Sequence, residues 1–247
     1  MTGVVLHQFP YSHFNEKVRW ALGYKGIDHG KKGYLPGTHM PAIKKLSGQV
    51  QTPVLDWHGK IIIGSAAIIA RLEKEVPEPA LYPKDQKQRE EALSFAKRFD
   101  IEVGPATRTI LFTALINEGA YMCGMFSTGK PRVTRVLYRM SFPFARGMVA
   151  KGNGINKKNV SLALDISQKA LDEVAEKTHS TGYIVGDTFS IADLTAAALI
   201  APLANPQHPE MARPKPVPDS VQKVLDRYRH HEAITWVNRQ YELHRSG

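Results

Sequence analysis

The most constraining feature of this 247-residue chain is a change of hydrophobic period near residue 80. Before it, short apolar runs alternate with amphipathic stretches; after it, only the helical period recurs. "VVLHQF" (4–9) reads as a strand. "SHFNEKVRWALGYKG" (12–26) reads as a helix whose apolar stripe is Val18, Ala21 and Leu22 and whose natural stop is Gly26. "GKKGYL" (30–35) predicts a second strand, and "MPAIKKLSG" (40–48) a short helix with Pro41 in its first turn. "TPVLDWHGKIIIG" (52–64) predicts a hairpin turning at 56–60, and "SAAIIARLEKEV" (65–76), capped by Ser65, completes the order βαβαββα. The proline-bearing "PEPALYPKD" (77–85) predicts a connection. Helical patterns then run over about 86–118, 131–150, 157–178, 190–201, 219–229 and 231–245, and the proline-rich 201–220 is expected as extended surface chain. The expected fold is a small α/β domain over residues 1–77, a linker at 78–85 and an all-α domain over residues 86–247.

Composition narrows the setting. One cysteine, Cys123, rules out an internal disulfide framework and fits a reducing compartment. The start "MTGVVLHQFPY" lacks a basic leader and a long apolar core, so a cytoplasmic location is expected. Net charge is +10, and between Gly119 and Leu164 there is no Asp or Glu, while Lys130, Arg132, Arg135, Arg139, Arg146, Lys151, Lys157 and Lys158 all fall there. Such a stretch is either a solvated helix face or an attractor for an anionic surface or ligand. No RNA-binding signature accompanies it, so nucleic acid is not an expected partner, and no metal site is expected either.

Two local patterns have a physical reading of their own. Ser190 followed by Asp193 is a capping box, which assigns both to the start of a buried helix rather than to chemistry. Ser12 stands where the first strand runs into the first helix, and a helix N-terminus favours an anion. Its hydroxyl is either the N-cap of that helix, with Glu16 supporting the dipole, or a donor to a bound thiolate. Without a cysteine at 12 or 15, dithiol exchange at this junction is excluded.

Four stretches, in order and at matching distances, carry a resemblance that covers essentially the whole chain. They are "FPYSHFNEKVRWAL" (9–22), "QTPVL" (51–55), "IIIGSAAIIARLE" (61–73) and "YIVGDTFSIADLTAAAL" (183–199). Together they resemble the cytosolic glutathione transferase superfamily of the Ser/Cys type, whose N-terminal domain is thioredoxin-like and whose C-terminal domain is all-helical. The resemblance implies glutathione as co-substrate, Ser12 as the catalytic hydroxyl, and Asn15 at the second position of the redox-type motif. It implies a cis Pro53, which on residue type alone reads as an ordinary trans proline opening a strand. Thr52 and Pro53 would then meet the peptide backbone of glutathione, and Ser65 its γ-glutamyl carboxylate. Lys45, His39 and Gln51 are the candidates for its glycyl carboxylate. The slot of the family's alternative tyrosine falls at Gln8, Tyr11 is another candidate donor, and His13 and Phe14 are expected to pack or to line the pocket mouth. Gly64 departs from the pattern, standing where the family usually has Glu or Gln, but glycine admits unusual backbone angles there.

The activity implied is transfer of glutathione to a small hydrophobic electrophile, bound against Ile110, Phe112, Tyr121 or Phe126, in a homodimer. The alternatives are a non-enzymatic binding protein of the same fold for an anionic ligand or surface, motivated by Gly64 and the basic segment 130–158, and a glutathione-dependent isomerase or peroxidase. A thiol-disulfide reductase fits least, since Cys123 lies in the helical part.

Overall fold

The computed structural model describes residues 3–245. The strands β1 (Val4–Gln8), β2 (Gly30–Gly33), β3 (Val54–Trp57) and β4 (Lys60–Ile63) form one sheet in the order β2–β1–β3–β4. β1 runs parallel to β2 and antiparallel to β3, and β3 is antiparallel to β4. Pairing of Gln8 with Gly33, His7 with Val54 and Val54 with Ile63 gathers the exits of β1, β2 and β4 and the entry to β3 at one edge of the sheet. The helices α1 (His13–Tyr24), α2 (Met40–Ser47) and α3 (Ser65–Glu75) complete the expected βαβαββα order. The expected connection at 77–85 is pinned rather than loose. Leu81 is buried, its carbonyl accepts from the Ile191 N–H at 2.8 Å, and the Glu73 carboxylate accepts from the Leu81 and Tyr82 N–H groups.

The remainder is helical: α4 (Gln86–Arg98), a π-helical turn Phe99–Val103, α5 (Gly104–Leu115), α6 (Gly119–Phe126), α7 (Arg132–Gly152), α8 (Lys157–Thr178), α9 (Ile191–Ala204), α10 (Asp219–Tyr228) and α11 (Glu232–His244). Three expectations are corrected. The pattern over 86–118 is two helices joined through the π turn, where Lys17 of α1 grips Asp100 with both contacts at 2.8 Å. Residues 119–126 form a helix that was not foreseen, because "GAYMCGMF" is apolar on all sides and has no amphipathic period. Finally, α9 continues through Pro202 to Ala204 and ends on Asn205 in the left-handed conformation, φ 50°, a stop that suits Asn. The chain beyond it is not the expected extended surface chain: His208, Met211 and Arg213 are buried, and the Arg213 guanidinium donates to the Pro202 carbonyl.

One apolar core crosses the whole molecule, from Leu6, Leu55 and Ile68 through Trp20 and Leu22 to Phe99, Leu199 and Val237. Two helices make this continuity. α9 is buried along nearly its full length, as a helix apolar on all sides must be. α1 packs against α3 and α9 and is buried from Asn15 to Leu22 despite carrying Glu16, Lys17 and Arg19. A smaller core of Leu111, Leu115, Met122, Phe126, Phe142 and Val221 seats α6 and the inner side of α7.

The capping box is present. The Ser190 hydroxyl accepts from the Ala192 N–H at 3.2 Å and donates to Asp193 at 2.8 Å, while Asp193 accepts from the Ile184 and Ser190 N–H groups. Ser190→Ala is expected to cost about 1 kcal/mol, read as a lower urea midpoint. A loss within error would remove the cap from the account of this helix.

Glu16 sets an acid limit on stability. Burial alone would raise its pKa, but Arg19 and Arg245 outweigh burial and bring it down to about 2 from an ordinary 4.5. The folded state therefore holds this proton more weakly than the unfolded chain. The stability it contributes is complete above pH 4.5 and is lost as pH falls towards 2. Glu16→Gln should flatten that part of the acid limb and destabilise the protein by roughly 3–5 kcal/mol, because a buried ion pair loses one partner. An unchanged acid limb in the variant would contradict this.

Candidate functional site

The sheet edge described above is where the expected site residues meet. After β1 the chain turns at Tyr11, whose φ of 57° lies in the left-handed region that a tyrosine rarely enters. Ser12 returns to extended geometry (φ −83°, ψ 122°) and occupies the N-cap position of α1, its carbonyl accepting from the Glu16 N–H at 2.7 Å. Its hydroxyl, however, caps nothing and makes no hydrogen bond among the described residues. The N-cap alternative thus has the right backbone and lacks the side-chain bond. Ser12 presents a free hydroxyl beside first-turn N–H groups that no side chain caps.

Two further loops are tied to this one. Asn15, fully buried, donates from Nδ2 to the Thr52 hydroxyl at 3.2 Å, and its Oδ1 has no partner among the described residues. The Thr52–Pro53 bond is cis, and the backbone N–H and C=O of Thr52 join no hydrogen bond among the described residues. The Pro53 carbonyl accepts from the Gly64 N–H at 3.1 Å. Gly64 has φ 85° and ψ 145°, a combination nearly confined to glycine. It delivers Ser65 to the first position of α3, buried, with its hydroxyl making no hydrogen bond among the described residues. The stretches 12–15, 52–53 and 64–65 therefore form one hydrogen-bonded cluster that contains two uncommitted hydroxyls, a free peptide edge and two helix N-termini.

The candidates at the α2 loop divide. Both ring nitrogens of His39 are engaged: Nδ1 accepts from the Gly37 N–H at 3.0 Å, and Nε2 donates to the Val50 carbonyl at 2.9 Å. His39 also stands edge-on to Phe9, so it holds the loop and has no nitrogen left for a carboxylate. Lys45 is exposed at the last turn of α2. The Gln51 side chain is uncommitted, while its backbone N–H and C=O are both held by the Gln49 amide.

At the end of β1 the Gln8 side chain is buried, and its carbonyl accepts from Arg19 at 2.6 Å within the core. His13 and Phe14 turn away to dock the two halves. His13 Nε2 donates to the Gly104 carbonyl at 2.9 Å, and the Phe14 ring lies where a side chain on Gly104 would be, 2.5 Å from the position of a Cβ. Burial first, and then the Arg108 charge, lower the His13 pKa to about 3, so the ring is neutral. Arg108 of α5 is the residue that sequence reasoning missed. It makes no ion pair among the described residues, its Nε is buried without a partner, and it lies close enough to His13 to act on its charge. Only its place on the α1-facing side of α5 reveals it, and no local pattern does. Of the four proposed pocket residues, Ile110 and Phe126 are core, whereas Phe112 and Tyr121 are partly buried in the cluster that Tyr11 joins.

A cavity of about 600 Å³ between the end of α9 and α11 contains none of these residues. Among the described residues no cluster of three His, Cys, Asp or Glu side chains is placed to hold a metal ion, and no helix is long and apolar enough to cross a membrane. Cys123 is buried, and burial raises its pKa.

Residues 6–80 match the glutathione S-transferase N-terminal domain, and residues 145–237 match the glutathione S-transferase C-terminal domain. The chain is 33% identical over 116 residues to a probable glutathione S-transferase from Nicotiana tabacum, covering 44% of this chain and 49% of that one. It is 32% identical over 107 residues to a maleylpyruvate isomerase from Ralstonia sp, covering 40% and 49%. The chain thus spans about half the length of these two curated relatives. The theta class glutathione S-transferase of Xanthomonas axonopodis pv. citri, solved with glutathione bound, shares the fold with TM-score 0.59 at 17% identity, covering 95% of this chain and 96% of that one. The two domain matches, in this order on this sheet and helical bundle, together take in more than half of the sequence, and the chain belongs to the glutathione S-transferase family.

Proposed function

We propose that the chain is a glutathione-dependent enzyme in which Ser12 holds the glutathione sulfur as thiolate for attack on an electrophile. The observation that carries this is the free Ser12 hydroxyl at the open N-terminus of α1. A free thiol titrates near 8.5, and a donor together with the positive end of a helix increases its thiolate fraction at neutral pH. In transfer, the thiolate forms an S–C bond and the leaving group departs with its electron pair. Ser12 is a hydrogen-bond donor throughout and forms no covalent bond.

The rest of the cluster supports glutathione as the thiol. The open peptide edge of Thr52, held by Asn15 and Pro53, suits an extended peptide, which pairs with it as a short β strand. The Ser65 hydroxyl and the N-terminus of α3 suit the γ-glutamyl carboxylate. Lys45 and Gln51 remain for the glycyl carboxylate, with His39 positioning their loop. Tyr11, Phe112 and Tyr121 line the acceptor side. The same reading includes a homodimer in the cytoplasm.

A second reading, a glutathione-dependent isomerase, is favoured by the name of the Ralstonia relative and by the unpaired Arg108 near the N-terminus of α1, which suits an acidic acceptor. The thiolate would add to a cis double bond conjugated to a carbonyl, the resulting single bond would rotate, and expulsion of the thiolate would restore the double bond as trans. Glutathione is regenerated here, whereas transfer consumes it.

Thiol consumption with chlorodinitrobenzene, set against isomerisation of maleylpyruvate at constant thiol, separates the two. In either case Ser12→Ala should lower kcat/KM roughly 10- to 100-fold, the worth of one hydrogen bond to a charged group, and raise the pKa of the bound thiol. Activity equal to that of the parent protein would remove Ser12 from the chemistry. Gly64→Ala meets no atom within 4 Å, so any penalty comes from the backbone alone. It should cost roughly 1–3 kcal/mol and weaken glutathione binding in calorimetric titration; unchanged affinity would show that the Gly64 geometry does not place Ser65.

A further inference from the structure

Helix α7 has three faces. Tyr138, Phe142, Ala145 and Val149 turn inward: Phe142 is buried against Gly119, and the Tyr138 hydroxyl donates to the Pro36 carbonyl at 3.1 Å. At about 100° per residue, Val133, Val136, Leu137, Met140, Phe144 and Met148 share an outward sector about 120° wide. All six are exposed, Phe144 by 91%, Val133 by 71% and Met148 by 68%. Arg132, Arg135, Arg139 and Arg146 fall in an adjoining sector about 60° wide. None of the four has an acidic partner among the described residues, and no acid occurs anywhere in 119–164.

An apolar stripe this exposed along a single helix is uncommon on a soluble protein surface and marks a contact surface. We propose that α7 docks this protein onto an anionic lipid bilayer, lying in the interface with its apolar sector at the acyl boundary and its arginines among the headgroup phosphates. The charge pattern selects this occupant. A second copy meeting α7 across a two-fold axis would bring arginine rows together with no acid in the segment to offset them. An anionic lipid surface accepts both sectors at once, since guanidinium groups reach phosphates while their stems cover apolar surface. α7 is held to the body by its inner face and by the neighbouring Lys130, which donates to the Gly33 carbonyl at 2.7 Å, so docking requires no unfolding. It would bring the sheet edge close to lipid-dissolved electrophiles. It does not depend on Ser12 or on the reaction proposed above.

The test is co-sedimentation of the full chain with vesicles of phosphatidylcholine alone and of phosphatidylcholine mixed with phosphatidylserine, at low and moderate salt. We expect at least tenfold stronger binding to the anionic vesicles, weakening as salt screens the contact. Phe144→Asp and Met148→Asp should abolish binding, and Arg135→Glu with Arg139→Glu should weaken it at least tenfold. These side chains are exposed, so thermal midpoint and glutathione turnover without vesicles should be unchanged, which confirms folded variants whichever reaction the enzyme performs. Absence of binding to anionic vesicles at low salt overturns the proposal, as does binding that the aspartate variants leave intact. A change from dimer to monomer in Phe144→Asp, read by analytical ultracentrifugation, would make a second copy the occupant and also overturns it.

Discussion

Everything near the sheet edge depends on how the charges buried along α1 are neutralised. Glu16 accepts from Arg19 Nε at 2.8 Å through one oxygen and from Arg245 Nε at 2.9 Å through the other. Glu210 meets Arg19 at 3.2 Å and also pairs with Arg245, while Lys31 reaches it from β2 at 2.6 Å. Arg19 is completed by the Gln8 side chain of β1. Five separate stretches of chain are joined here, and removing Glu16 would leave the arginine charges in a medium that solvates them poorly. The network, with the Lys17–Asp100 pair, fixes the rotation of α1 about its axis. That rotation determines which side chains its first turn turns towards Thr52.

The two ends of the first turn are then used differently. His13 is consumed in docking α1 to α5 and is kept neutral by burial, so it adds no charge at the helix terminus. Ser12 and Asn15 stay on the side of the cis proline loop. The left-handed Tyr11 makes the sharp change of direction that keeps Ser12 out of the core, and strain of this kind persists only where the surroundings over-determine it. Gly64 achieves a comparable backbone angle on the opposite loop without strain. Glycine there therefore sets Ser65 at the first position of α3.

The helices α6 and α7 extend the molecule in another direction. Their inner side closes the small second core around Met122 and Phe142. The outer side of α7 combines exposed apolar groups with arginines that have no acidic partner among the described residues, a combination that folding alone does not require.

Much of this was legible in the residues themselves. Alternating periods located every strand and the first three helices, because each half-buried element must present its apolar side at its own repeat. The capping box of Ser190 and Asp193 was legible for a similar reason, since a helix start is a local hydrogen-bonding problem. The junction at Ser12 and the cis Pro53 were expected only through family resemblance; local physics favoured a plain N-cap and a trans proline. What local patterns could not reveal depends on partners distant in sequence. α6 lacks a period because it is enclosed on several sides, and α9 runs past Pro202 because burial outweighs the hydrogen bond that proline cannot donate. The ring nitrogens of His39 are both taken, by Gly37 and Val50, and Arg108 comes near His13 because the start of α5 docks against α1. The sequence by itself determined the strands, the first three helices and the capped start of α9. Only the tertiary structure decided which polar groups are already spent on one another and which, like the hydroxyls of Ser12 and Ser65, are left free for a ligand.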